Sequence, residues 1–93
     1  MGKLKVGVIG CGSIASRRHL IEYAANQDVE ITAVCDVVAS RAEEMALAYG
    51  AKAITEYEDV LQLDEIDVIS VCLPNHLHAP VSIAALNAGK HVL

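Results

Sequence analysis

Ninety-three residues with 54% hydrophobic side chains suffice for one core, and a single domain is expected. Twelve acidic residues against seven basic ones give a formal charge of −5, which excludes the clustered cationic surface that nucleic acid demands. Three cysteines, Cys11, Cys35 and Cys72, are an odd number at wide spacing, so neither a disulfide framework nor a CxxC metal site is expected and a cytoplasmic setting is the default.

The amino terminus runs from Met1 into a short apolar strand without a signal segment, and Val6 stands where a myristoylation match needs Ser or Thr. No apolar run approaches the length of a membrane span. There is no Trp and no Phe, so the core must be built from Val, Ile, Leu and Ala, which suits parallel strands against small-faced helices.

Lys3 to Ile9 reads as a strand ending in the Gly10/Gly12 turn, and Ser13 to Ala25 as a helix whose stripe is Ile14, Arg18, Ile21 and Ala25, with Leu20 and Ala24 beside it. Val29 to Cys35 is apolar nearly throughout, as a strand covered on both faces should be, and Asp36 closes it. Ser40 with Glu43 makes a capping box for the next helix, whose face is Ala42, Met45, Ala46 and Tyr49 and whose stop is Gly50. A short strand at Lys52 to Ile54 and a short helix at Glu58 to Leu63 follow. Asp67 to Leu73 is a stronger strand ended by Pro74. After a turn through His78, Pro80 fits a first helical turn, Val81, Ala84, Ala85 and Ala88 form a buried stripe, and Gly89 stops the helix before a last strand begins at Lys90. Strict alternation of strand and helix predicts an α/β fold, a doubly wound parallel sheet of Rossmann type with about five strands.

The chemistry concentrates in Gly10-Cys11-Gly12-Ser13-Ile14-Ala15, a G-x-G-x-x-A loop that leaves a strand and opens a helix. Gly10 permits the tight turn, Gly12 lets a pyrophosphate reach the backbone, and Ala15 keeps the helix close to the sheet. Free N–H groups and the positive helix end would hold the phosphates. Asp36, about two dozen positions after Gly12, is placed to accept hydrogen bonds from the adenosine ribose, which favours NAD over NADP. Arg41 with Ser40 is the counter-signal, since a guanidinium there could receive a 2′-phosphate. Arg17, Arg18 and His19 lie past the first helical turn and are expected to be surface charge. Cys11 is expected to be a small filler, open to oxidation only if exposed.

Asn75, His76 and His78 fall at the carboxyl edge of the fourth strand, where open α/β sheets place ligands, so they are candidates for contact with the nicotinamide ribose or a substrate. Neither histidine has a metal-ligand partner at suitable spacing, and no Ser-His-Asp or paired-carboxylate arrangement is identifiable.

Together with Ala33-Val34-Cys35-Asp36, Cys72-Leu73-Pro74-Asn75-His76-Leu77-His78 and Ala84 to Leu93, the glycine loop resembles the amino-terminal domain of the Gfo/Idh/MocA oxidoreductases over essentially the whole chain. The resemblance implies NAD(P)-dependent redox chemistry on sugars, cyclitols and related polyols. By matching position, Gly10, Gly12 and Ala15 would line the pyrophosphate with Ser13 and Ile14 in the same loop. Asp36 would meet the adenosine ribose, and Leu73, Pro74, Asn75 and His78 the nicotinamide side. Such proteins continue past a segment like Lys90 to Leu93 into a Glu-Lys-Pro motif and a substrate domain, which implies a cofactor domain without its catalytic machinery, inactive alone. The last strand should then pair or pack with another chain, giving a homo-oligomer. A non-enzymatic nucleotide-sensing module is the alternative.

Overall fold

The computed structural model describes residues 3–12 and 14–93, without the side chains of residues 14–16 and 75. Expectations that concern Ser13 and the side chains of Ile14, Ala15 and Asn75 therefore lie outside the described residues.

Nine elements alternate along the chain: β1 (Leu4–Ile9), α1 (Ile14–Ala25), β2 (Val29–Cys35), α2 (Ala39–Tyr49), β3 (Lys52–Ile54), α3 (Tyr57–Leu61), β4 (Val68–Val71), α4 (Asn75–Asn87) and β5 (His91–Val92). The strands form one sheet in the order β3-β2-β1-β4-β5, and every pairing is parallel. The chain winds outward from β1 in one direction and then returns to begin again at β4, so the order reverses between β1 and β4. β3 and β5 are the two edges.

Each face of the sheet carries its own apolar layer, as the doubly wound fold requires. On one face Val6, Val8, Ile31 and Val34 pack with Leu20 of α1 and Ala46 of α2. On the other, Ile9, Ala33, Cys35 and Ile69 pack with Val60 of α3 and with Val81 and Ala85 of α4. Ile31 and Val34 are three apart yet share a face. The register explains this, because Val6 pairs with Ile31 while Gly7 pairs with Ala33, and the extra residue, Thr32, breaks the alternation.

Several local expectations are corrected. The buried side of α1 is Leu20, fully covered, with Tyr23 packed beside it, whereas Ile21 is 62% exposed. Tyr23 wins that face because its hydroxyl shares a 2.9 Å hydrogen bond with Ser70, a buried β4 hydroxyl whose other contact is the weaker one with the Cys72 thiol at 3.7 Å. Ser40 is not a cap. Val38 takes the N-cap position of α2 without any side-chain cap bond, because Asp36 Oδ1 already accepts the Val38 N–H at 2.9 Å and turns the chain into the helix. The expected α2 stripe and stop hold, with Ala42 and Ala46 buried and Gly50 in the left-handed region at φ 66°.

Pro80 lies inside α4, not in its first turn, since the helix starts right after Pro74. The Pro74 carbonyl accepts the N–H groups of Leu77 and His78 at 2.9 and 3.0 Å, which closes the first turn ahead of Pro80. Pro80 thus leaves the His76 carbonyl without its usual donor. Ala88 is the exposed C-cap and not part of the buried stripe. α3 begins one residue earlier than expected and ends two earlier, and β4 is shorter at both ends.

Lys90 is 8% exposed, yet its ammonium is satisfied. Nζ donates to the carbonyls of Leu63 and Ile66, each at 2.9 Å, and thereby ties the start of β5 to the α3–β4 connection. No helix among the described residues is long and apolar enough to cross a membrane.

Candidate functional site

β1 and β4 lie side by side, but the chain leaves β1 toward one face and β4 toward the other, which opens a crevice at their carboxyl ends. The glycine loop sits at that divergence. Gly10 has φ +99°, a conformation open to glycine alone at little cost, and a Cβ there would stand 2.6 Å from the Cys72 carbonyl oxygen. The loop is therefore pressed against the exit of β4. Its first residues are also gripped from β2: Gly10 N–H donates to the Cys35 carbonyl at 2.7 Å, and the Cys11 thiol donates to the same oxygen at 3.4 Å.

Asp36 completes this grip. Its Oδ2 accepts the Cys11 N–H at 3.0 Å, its Oδ1 accepts the Val38 N–H, and the residue is 8% exposed. The carboxylate stands at the rim of the crevice as expected. Each oxygen keeps a second lone pair that an incoming hydroxyl could use.

The crevice has a volume of about 550 Å³, and its lining includes Gly10, Gly12, Asp36, Arg41, Leu73 and Pro74. Six of the sequence candidates are thus brought together. Arg41 is exposed on α2, and its guanidinium lies over the loop: a Cβ on Gly12 would meet Arg41 Nη1 at 2.7 Å. The loop is roofed by the mobile end of a cation, not plugged by an apolar side chain. His76 and His78 do not line the crevice. Both are exposed on α4, where His78 Nδ1 lies 3.4 Å from the Ser82 hydroxyl. His19, Arg17 and Arg18 are exposed on α1, as surface charge would be.

Lining residues that sequence reasoning missed include Val37, which is 89% exposed, Leu77 of α4, and the run from Thr55 to Glu58. Val37 had a signal, because a bulky apolar residue directly after the strand-closing carboxylate must face solvent or a ligand. The Thr55 to Glu58 run had none, since it reaches the crevice only through the β2–β3 pairing.

The thiols near the loop are held protonated. Burial, with the Asp36 carboxylate nearby, pushes Cys11 up to about 11. Burial, with the neighbouring Cys11, pushes Cys35 up to about 12. Burial also raises Cys72. Cys11 is 1% exposed, which agrees with the filler role. Among the described residues no group of three or more His, Cys, Asp or Glu could hold a metal ion. A second cleft of about 500 Å³ lies at the opposite, amino edge of the strands, among Lys3, Glu30, Lys52 and Glu65. Two of its charges are engaged with each other, Lys52 meeting Glu65 at 2.8 Å, and Glu30 accepts the Thr32 hydroxyl at 3.2 Å.

Residues 4–93 match the model of a family described as an oxidoreductase family with an NAD-binding Rossmann fold. The chain is 41% identical over 90 residues to a dTDP-3,4-didehydro-2,6-dideoxy-alpha-D-glucose 3-reductase of Streptomyces violaceoruber, covering 97% of this chain and 26% of that protein. It is 40% identical over 92 residues to an inositol 2-dehydrogenase of Salmonella typhimurium, covering 96% of this chain and 27% of that protein. Among solved structures, a 3-ketoreductase of Actinomadura kijaniata in complex with NADP superposes with a TM-score of 0.93 at 39% identity, covering 99% of this chain and 29% of that one. The chain thus spans between a quarter and a third of the length of these relatives.

Proposed function

This chain belongs to the Gfo/Idh/MocA oxidoreductase family, and we propose that it is the dinucleotide-holding part of an enzyme that moves hydride between a nicotinamide and a sugar, cyclitol or related polyol. The observation that carries the proposal is the glycine loop at the β1/β4 divergence, with the Asp36 carboxylate fixed beside it. The bound nicotinamide would supply the hydride or accept it. The residues of this chain bind and orient the cofactor.

The diphosphate would lie on the loop from Gly10 to Ala15, where backbone N–H groups and the positive end of α1 favour an anion. A side chain on Gly12 would fill that approach. The adenosine ribose would meet the remaining lone pairs of Asp36, with Val37 offering an apolar surface beside it. Leu73 and Pro74, at the exit of β4, together with Asn75 at the start of α4, would border the nicotinamide half, with His78 outside the crevice lining. In this arrangement the carboxylate favours the two free ribose hydroxyls of NAD. Arg41 gives the site a cation for the 2′-phosphate of NADP. The guanidinium lies close enough over Gly12 that it would have to give way to a diphosphate on the loop.

The activities of two relatives support the substrate class: one is a 3-reductase of a dTDP-linked didehydro-dideoxyglucose and the other a 2-dehydrogenase of inositol. The test is a calorimetric titration of NAD and NADP into the protein and its Arg41→Ala variant. Arg41→Ala is expected to weaken NADP about tenfold or more and NAD by much less. Equal loss for both cofactors would contradict the 2′-phosphate role, and no binding of either would contradict the proposal.

A further inference from the structure

We infer that Asp36 is a positioning residue for the glycine loop, holding the Cys11 amide in place, so that cofactor choice and loop geometry are coupled through one side chain. The inference rests on the dinucleotide reading above, but its structural half does not. A carboxylate kept only for ribose hydroxyls would aim unengaged oxygens into the crevice. Here each oxygen already accepts a backbone N–H, Oδ2 from Cys11 and Oδ1 from Val38. Among the described residues no ion pair involves Asp36. This side chain, 8% exposed, is thus met by main-chain donors on both of its oxygens.

The location of these bonds gives them their consequence. Residues 35 and 36 hold residues 10 and 11 by three bonds: Gly10 N–H and the Cys11 thiol to the Cys35 carbonyl, and Cys11 N–H to Asp36. Only the last runs through a side-chain acceptor, so it can be removed without altering the β2 main chain. The same carboxylate also turns the chain into α2 through Val38, and α2 carries Arg41. Removing the negative charge to welcome a 2′-phosphate would therefore loosen the loop that grips the diphosphate and the turn that positions the phosphate's own cation. Asn cannot substitute, since it offers one acceptor oxygen and one NH₂ group, and whichever way it lies one of the two backbone N–H groups faces a donor.

The test uses Asp36→Asn with two readouts: deuterium exchange by mass spectrometry over the loop peptide in the cofactor-free protein, and calorimetric affinity for NAD and NADP. The expected result is loop exchange at least about tenfold faster, with β4 and the body of α2 unchanged, and affinities for both NAD and NADP lowered about tenfold. Tighter NADP binding with unchanged loop exchange would overturn the inference, because that is the signature of an acid that only reads the ribose. Should the variant not fold, exchange in the unaltered protein decides. A loop peptide as slow as β2 supports the strut, and one that exchanges at the rate of an open chain overturns it. If the unaltered protein bound neither dinucleotide, the proposed function would fail, while the exchange comparison would still report on Asp36.

Discussion

Replacing Gly10 with Ala asks how firmly the loop is held against β4. The native φ of +99° lies beyond the left-handed well, and a left-handed conformation alone costs a residue with a Cβ roughly 1–2 kcal/mol. The new methyl would also stand 2.6 Å from the Cys72 carbonyl oxygen and 3.0 Å from its carbon. Both are backbone atoms fixed by the Cys72 N–H bond to the Ile9 carbonyl at 2.8 Å, so β1 and β4 must separate or the turn must rebuild. Overpacking of this sort costs about 1–3 kcal/mol. A combined loss of about 3 kcal/mol is expected, a large fraction of the roughly 5–15 kcal/mol that stabilises a typical domain. Gly50→Ala is the internal control, with φ +66° and nothing within 4 Å of its would-be Cβ; it should lose only about 1 kcal/mol. Urea unfolding at constant slope measures both. If Gly10→Ala lost no more stability than Gly50→Ala, the close approach of the loop to the β4 exit would be refuted.

Lys90→Met keeps an apolar stem but takes the ammonium from both carbonyls, leaving Leu63 with the Ile66 N–H alone and Ile66 without that donor. A loss of about 1–3 kcal/mol is expected in the same urea assay, and unchanged stability would show that those carbonyls find water. The thiols set an alkaline limit. Folded Cys11 and Cys35 hold their protons up to about 11 and about 12, against an ordinary value of 9.0. The stabilisation this confers is complete below pH 9.0 and is lost as pH rises through the folded values, because the unfolded chain releases its protons first. The urea midpoint should fall between pH 8 and roughly pH 10.5, and a midpoint that rises would contradict the assignment. At pH 8 native Cys11 and Cys35 should also resist iodoacetamide, with the half-buried Cys72 reacting first.

The framework of the site was legible because it is written in local chemistry. A run of Val and Ile, two glycines one residue apart, and a strand-closing carboxylate specify strand, turn and partner within short stretches of chain. What escaped depends on contacts distant in sequence. Leu20 and Ile21 are adjacent apolar residues, and nothing local says which of them the sheet covers. Tyr23 decides it through Ser70, 47 positions away. Ser40 and Glu43 look like a capping box, but Asp36 claims the Val38 amide first and sets the helix start earlier. Pro80 suggests a helix start only when Pro74 is overlooked as the cap. Arg41 was legible as a possible phosphate ligand, whereas its position over Gly12 follows from how α2 sits beside the loop.

Gly12→Ala separates folding from binding more directly than any other change. Its Cβ would meet only the flexible end of Arg41, so stability should change by less than about 1 kcal/mol. The same methyl would stand where a diphosphate must approach the loop amides. Calorimetric titration of NAD and NADP should therefore show binding to the unaltered protein and affinity lowered at least about tenfold in the variant, with the urea midpoint nearly unmoved. Undiminished affinity in Gly12→Ala would contradict the claim that this loop grips the dinucleotide.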